Sequence, residues 1–349
     1  VRFAFIVPAM GAPGGFYDVL VSIMRAAAER LGVELEVVDC QTRVDRMLEA
    51  GRALVGQRAR PDCVFLVNHQ GVGRELLPMI CEAGLNAFVL VEGMAPSDVL
   101  ALGRPRGALP RWLGELCPDD VAAGGQLARL LVDRAGREGT PRPDGKIHVA
   151  VIAGDQTTCG QLRFQGWLAF RKERPEVVQV SVQYANWLED QARDAAAQLL
   201  RSHPEVSVVW AANDDMALGT IEAIREIRRE PGRDVLVGGM DLLPRALRRV
   251  GDGSLAVTLG GHVLDGARAL LLVHDHLQGR DFEPWSRRSL LEPVTAEEAP
   301  AYLRFFEGEG WRRVDFGLYS RARTGRDVVP ELSLGALVHG ERPPRTSRA

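Results

Sequence analysis

Asn68, Glu92, Arg163, Trp187, Asn213 and Asp241 each stand just beyond a short apolar run or on the helix that follows one. Carboxylates, amides and a guanidinium form the stronger, charge-assisted hydrogen bonds, and an indole supplies a flat apolar face. The pattern recurs along the chain. After the first run come Met10, Phe16 and Tyr17; after the third, Asn68, His69 and Gln70; after the fourth, Glu92. Further on come Asp155, Gln156 and Thr157 with Arg163, then Asn186 and Trp187, Asn213 with Asp214, and Asp241. Open α/β sheets take ligands beyond the carboxyl ends of their strands, so these residues are candidate ligand contacts. Each polar one also suits a helix N-cap.

Catalytic patterns are missing. There is no GxxxxGK[ST], and Gly145-Lys146 precedes a strand rather than opening a helix. Gly71-Val72-Gly73 lacks the third glycine of a dinucleotide loop, and neither GxSxG nor HExxH occurs. His274 and His276 are two residues apart and face different sides of a helix, so no metal site is expected. Asp214-Asp215 reads as an acidic helix start favoured by the macrodipole. The sequence thus points to neither catalytic residues, nor a cofactor, nor a metal.

These residues need elements to position them. Apolar runs recur at 2–7, 33–39, 62–67, 86–91, 147–153, 177–184, 206–211, 234–239 and 254–259, with helical stretches between. Phe16, Val19, Leu20, Ile23, Ala27 and Leu31 share one helix face, as do Leu188, Ala192, Ala195, Ala196 and Leu199. Continuous apolar strands imply parallel sheets covered on both faces. Two βαβ blocks follow, one to about Pro110 and one from about Trp112 to Gly261. Thr140–Gly145 reads as a turn between helix and strand, and the helix after Gly261 is expected to return to the first block.

The 349 residues suit two domains, and 46% hydrophobic with 26% charged is ordinary globular composition. A net charge of -3 without basic blocks argues against nucleic acid. No run approaches the roughly 18 apolar residues of a membrane span, and VRFAFIVP reads as a buried strand rather than a leader. The five cysteines form no CxxC; a Cys117–Cys159 bridge and free thiols are both compatible with the spacing.

The segments NDDMALGTIEAIR (213–225), GGMD (238–241), RFQGW (163–167), GGFY and PDDVAAGGQLA together resemble the type I periplasmic binding proteins, in particular the ribose-type sugar-binding group, over residues 1–290. That resemblance implies two Rossmann-like lobes with parallel sheets joined by a three-strand hinge. The lobes are expected at 1–113 with 262–292 and at 114–261 with 293–335, the end of the chain from about Val294 packing on the second lobe and 336–349 forming a flexible tail. It implies an aromatic pair at Phe16 and Tyr17, ligand contacts from Asn68, Glu92, Arg163, Trp187, Asn213 and Asp241, and His262 one step past a glutamine position occupied here by Gly261. The departures are Gly93 for an arginine, Met240 for an aromatic, and Pro13-Gly14-Gly15 for an asparagine; Met94 and Met240 are read as soft apolar walls, and Met10 and Met240 belong to the expected ligand set.

The implied function is capture of a small ligand in the periplasm by hinge closure, as a monomer, for an ABC permease or a sensor protein. The glycine substitutions suggest a roomier site and a ligand bulkier or less polar than a simple pentose, down to a modified sugar or a lipid-like compound. A repressor effector core, which needs a helix-turn-helix ahead of Val1, and an α/β enzyme are the alternatives.

Overall fold

Every apolar run of the sequence becomes a strand in the computed structural model, which describes residues 1–138 and 144–340. The chain divides into two units. The first contains Val1–Pro118, Gly261–Ser289 and the chain from Gly308; the second contains Asp119–Gly260 and Leu290–Glu307.

In the first unit, β1 (Arg2–Val7), β2 (Glu34–Asp39), β3 (Cys63–Leu66), β4 (Asn86–Leu90) and β5 (Trp112–Pro118) alternate with α1 (Phe16–Leu31), α2 (Val44–Gly56), α3 (Gly73–Glu82) and α4 (Pro96–Leu102). The second unit repeats the scheme. There α5 (Asp120–Arg137), α6 (Thr158–Lys172), α7 (Glu189–Ser202), α8 (Asp214–Glu226) and α9 (Pro244–Gly251) alternate with β6 (Ile147–Ala153), β7 (Val177–Tyr184), β8 (Val208–Ala211), β9 (Leu236–Met240) and β10 (Val257–Gly260). Helix α10 (Asp265–Leu277) and strand β11 (Ser286–Ser289) belong to the first unit, β12 (Glu292–Val294) and α11 (Ala299–Glu307) to the second. Short helices α12 (Arg321–Thr324) and α13 (Leu334–Val338) follow.

The sheet orders are β11-β5-β4-β3-β1-β2 and β12-β10-β9-β8-β6-β7. All pairings are parallel except β10 with β12. Strand order therefore reverses at β1/β3 in one unit and at β6/β8 in the other. Such switch points open a crevice at the carboxyl edge. The central strands are buried along their length, including Phe3, Phe5, Phe65 and Phe88 in the first sheet and Val149, Val151 and Trp210 in the second.

The unit boundaries differ from the sequence expectation. Trp112–Pro118, taken as the start of the second block, pairs with β4 and β11 and so completes the first sheet. Residues beyond Glu307 do not join the second unit. Asp275 on α10 accepts hydrogen bonds from Ser320 Oγ (2.5 Å), the Arg321 amide (2.6 Å) and the Ala322 amide (3.2 Å). Arg268 donates to the Leu332 carbonyl at 2.6 and 2.9 Å. These bonds, with buried Trp311 and Phe316, hold this segment on the first unit. Part of the supposed tail is helical, Leu334–Val338, with Leu334 buried. Residues 341–349 and most of the Thr140–Gly145 turn, 139–143, lie outside the described residues.

Helices α5 and α6 approach so closely that only glycine fits between them. A Cβ at Gly124 would stand 2.0 Å from the Arg163 carbonyl oxygen, and one at Gly166 would stand 2.1 Å from that of Val121. Gly166→Ala is therefore expected to destabilise the protein by about 1–3 kcal/mol through overpacking. Gly136→Ala, in open space on the same pair of helices, should gain up to about 1 kcal/mol. Chemical denaturation of both variants checks this, and equal effects would refute the packing argument.

Candidate functional site

In the second unit the site is built around Arg163. Its side chain is 4% exposed, and its donors are spent in specific directions. Nε donates to Asp120 Oδ1 at 2.9 Å, Nη1 to the Ala212 carbonyl at 2.5 Å, and Nη1 lies 3.9 Å from Asp241 Oδ1. Its guanidinium sits 5.5 Å from the centre of the Trp187 ring. Burial works against the charge. The neighbouring Cys159 sulfur and the Asp120 and Asp241 carboxylates outweigh it, so the pKa of Arg163 rises above its ordinary value.

Trp187 is fixed from two sides. Its ring lies against Gly154, where a Cβ would fall 2.4 Å from the indole, and its own backbone is left-handed, with φ 66°. Asp241 also has a positive φ, 132°, and is followed by Leu242 at 60°. Non-glycine residues in such conformations carry about 1–3 kcal/mol of strain each and cluster where function fixes geometry. Gln70 (51°) and Val91 (70°) do the same past β3 and β4.

Asn213 acts as the N-cap of α8: Oδ1 accepts from the Met216 amide at 2.9 Å, and Nδ2 points to the Trp187 carbonyl at 3.5 Å. The cap reading and the candidate contact thus coexist on one side chain, whose second amide hydrogen is uncommitted by these bonds. Asp214 does more than open a helix. It is fully buried and accepts from Thr258 Oγ1 (2.6 Å) and the Leu243 amide (2.9 Å), which ties β10 and the loop after β9 to α8. Burial, and then the charge of Asp241, push its pKa well above the usual carboxylate value. Asp155 spends Oδ1 on the amide and hydroxyl of Thr157, and Asn186 is exposed and donates to Gln191 Oε1 at 2.8 Å; both close their own turns.

In the first unit, Phe16 opens α1 and packs on Tyr17 (5.2 Å, 76°) and on His262 (4.6 Å, 31°). Met10 is half-buried on the loop before α1, and His262 is buried in the turn leading to α10. Asn68 donates to the Gly93 carbonyl (2.9 Å) and accepts from the Gly73 amide (2.8 Å), so it clamps the loops after β3 and β4 together. Glu92 is 7% exposed at the end of β4.

Gly93 and Gly260 do not enlarge the site as the sequence suggested, whereas Gly261 does face open space. A Cβ at Gly93 would stand 3.2 Å from Cys117 Sγ, and one at Gly260 would stand 2.5 Å from the Leu242 side chain. Cys117 and Leu242 fill that space. Met94 belongs to the core of the first unit and Met240 is fully buried at the end of β9, so neither offers an open apolar wall. Cys117 and Cys159 are not bridged, and none of the five cysteines is in a disulfide. Sequence reasoning missed Asp120. Its signal was the Asp119-Asp120 doublet: Asp119 caps α5 by accepting from the Ala122 amide, which leaves the next carboxylate for Arg163.

Residues 3–281 match the family model described as a periplasmic binding protein domain. The chain belongs to that family. Within it, this periplasmic binding protein is of type I and the ribose-type group. It is similar to the D-allose-binding periplasmic protein of Escherichia coli (strain K12), 31% identical over 45% of this chain and 48% of that one. The match thus spans about half the length of that relative. The galactofuranose-binding protein of the same organism is 21% identical over 70% of this chain and 72% of its own. A crystal structure of a periplasmic sugar-binding protein from Pseudomonas fluorescens superposes with a TM-score of 0.82 at 30% identity, covering 93% of this chain and 95% of that one. These relatives are binding proteins.

Asp215, next to Asp214, provides a pH test. Burial, followed by the charges of Asp241 and Glu189, raises its pKa from 3.8 to about 6. A raised carboxyl pKa means the native state binds the proton more tightly than the unfolded chain. The group therefore favours folding most at low pH, and that advantage is lost as pH rises from about 4 through about 6. In Asp215→Asn the decline of the thermal midpoint across this window should be shallower than in the parent. An unchanged profile would contradict the assignment.

Proposed function

We propose that this periplasmic binding protein captures a sugar or closely related polyol outside the cytoplasm, without changing it chemically, and delivers it to an ABC permease. The observation that carries this reading is the convergence of Arg163, Trp187, Asn213 and Asp241 around the β6/β8 switch point. A guanidinium, a carboxylate and an amide supply donors and acceptors for hydroxyls, while an indole face covers the apolar C–H side of a sugar ring. The relatives named for allose and galactofuranose support the same ligand class. With the space at Gly93 and Gly260 filled, only the open space at Gly261 remains in favour of a bulkier ligand.

In the first unit, Phe16, Tyr17, Glu92 and His262 are the candidate contacts. The chain passes between the units after Pro118, Gly260 and Ser289. The chain passes once more after Glu307.

A thermal-shift and calorimetric panel of D-allose, D-ribose, D-galactose and xylitol, with mass spectrometry of small molecules released from the freshly purified protein, tests the ligand class. At least one polyol should bind with Kd of about 1 μM or tighter and be recovered unchanged. Asp241→Ala should weaken that binding about tenfold or more, as expected for loss of a buried hydrogen bond to a charged group. Binding of no polyol, or equal affinity in Asp241→Ala, would overturn the proposal.

A further inference from the structure

Arg163 faces two carboxylates, Asp120 at 2.9 Å and Asp241 at 3.9 Å. Asp241 stands at the strand edge where ligand is proposed to bind. Asp120 comes from another direction, the first residue of α5, and is 4% exposed. Its Oδ1 receives both Arg163 Nε and the Cys159 thiol (3.5 Å). The Ala212 carbonyl completes the grip on Nη1, so the guanidinium plane is fixed from α5 and β8 before any ligand arrives. We propose that Asp120 is a positioning residue that orients Arg163 and, with Asp241, outweighs its charge, so that the site rejects sugars bearing carboxylate or phosphate.

This rests on the sugar-binding reading for its ligand but not for its physics. A buried guanidinium with one carboxylate partner is a neutral pair that does not repel an anion. With two the cluster is net negative, and an anionic ligand meets like charge from both acids in a medium that screens poorly. Asp120 reaches the ligand only through Arg163, since its contacts are with the guanidinium and a thiol inside the unit.

Trp187, 5.5 Å from the guanidinium, serves as a local reporter that needs no sugar. Its contribution is isolated by subtracting the fluorescence of Trp187→Phe in each background. In the parent protein, caesium ion should quench this component more than iodide does. Asp120→Asn keeps an oxygen for Nε and removes the charge. It should raise iodide quenching about twofold, through a higher local anion concentration, and leave quenching by neutral acrylamide unchanged. Asp120→Glu should restore the parent values. In a thermal-shift assay, D-galacturonate should be inert with the parent and stabilise Asp120→Asn.

Parallel changes in iodide and acrylamide quenching would mean a merely loosened structure and overturn the proposal, as would iodide exceeding caesium in the parent. The parent measurement decides the matter even if Asp120→Asn does not fold. A protein that bound no sugar would sink the functional reading, while the quenching data would still decide the part of Asp120.

Discussion

The buried guanidinium of Arg163 is the constraint on which the second unit's functional edge depends. A charge taken out of water is costly unless hydrogen-bonded and paired. Here the partners come from the start of α5, the end of β8 and the end of β9. Three elements distant in the chain must therefore meet at one side chain carried by a fourth, α6. The glycine contacts between α5 and α6 belong to the same arrangement: Gly124 lies directly against the Arg163 backbone, so the approach that brings Asp120 to Arg163 is one that a side chain at Gly124 would prevent.

A second buried acid organises the rest of that edge. Asp214 joins α8 to β10 and to the loop after β9, and that loop carries the strained Asp241 and Leu242. The strain persists because the surroundings over-determine it. The result is a carboxylate held in a fixed orientation on a rigid strand end. In the first unit Asn68 clamps together the loops after β3 and β4, the second of which carries Glu92.

The segment after Glu307 follows a different logic. It has little regular structure, and its attachment to the first unit rests on Asp275 and Arg268 meeting backbone groups of the segment. Backbone donors and acceptors exist at every residue, so no sequence pattern marks which ones an acid or an arginine will take. This is why the destination of the segment was misjudged while the helix carrying both side chains was not.

The sequence by itself determined the architecture. Apolar runs of strand length, separated by helices of 3–4 period, leave a doubly covered parallel sheet as the way to bury them, and the switch-point rule then marked Asn68, Glu92, Arg163, Trp187, Asn213 and Asp241. Local pattern carries that information because periodicity and caps act over a few residues. What only the tertiary structure decided is how those side chains spend their bonds. Asp120 is 43 residues from Arg163 and Asp214 is 44 from Thr258. Gly93 and Gly260 looked like open space until Cys117 and Leu242 were found beside them. Desolvation, pairing and packing are set by neighbours in space, and those neighbours exist only once the sheets have formed.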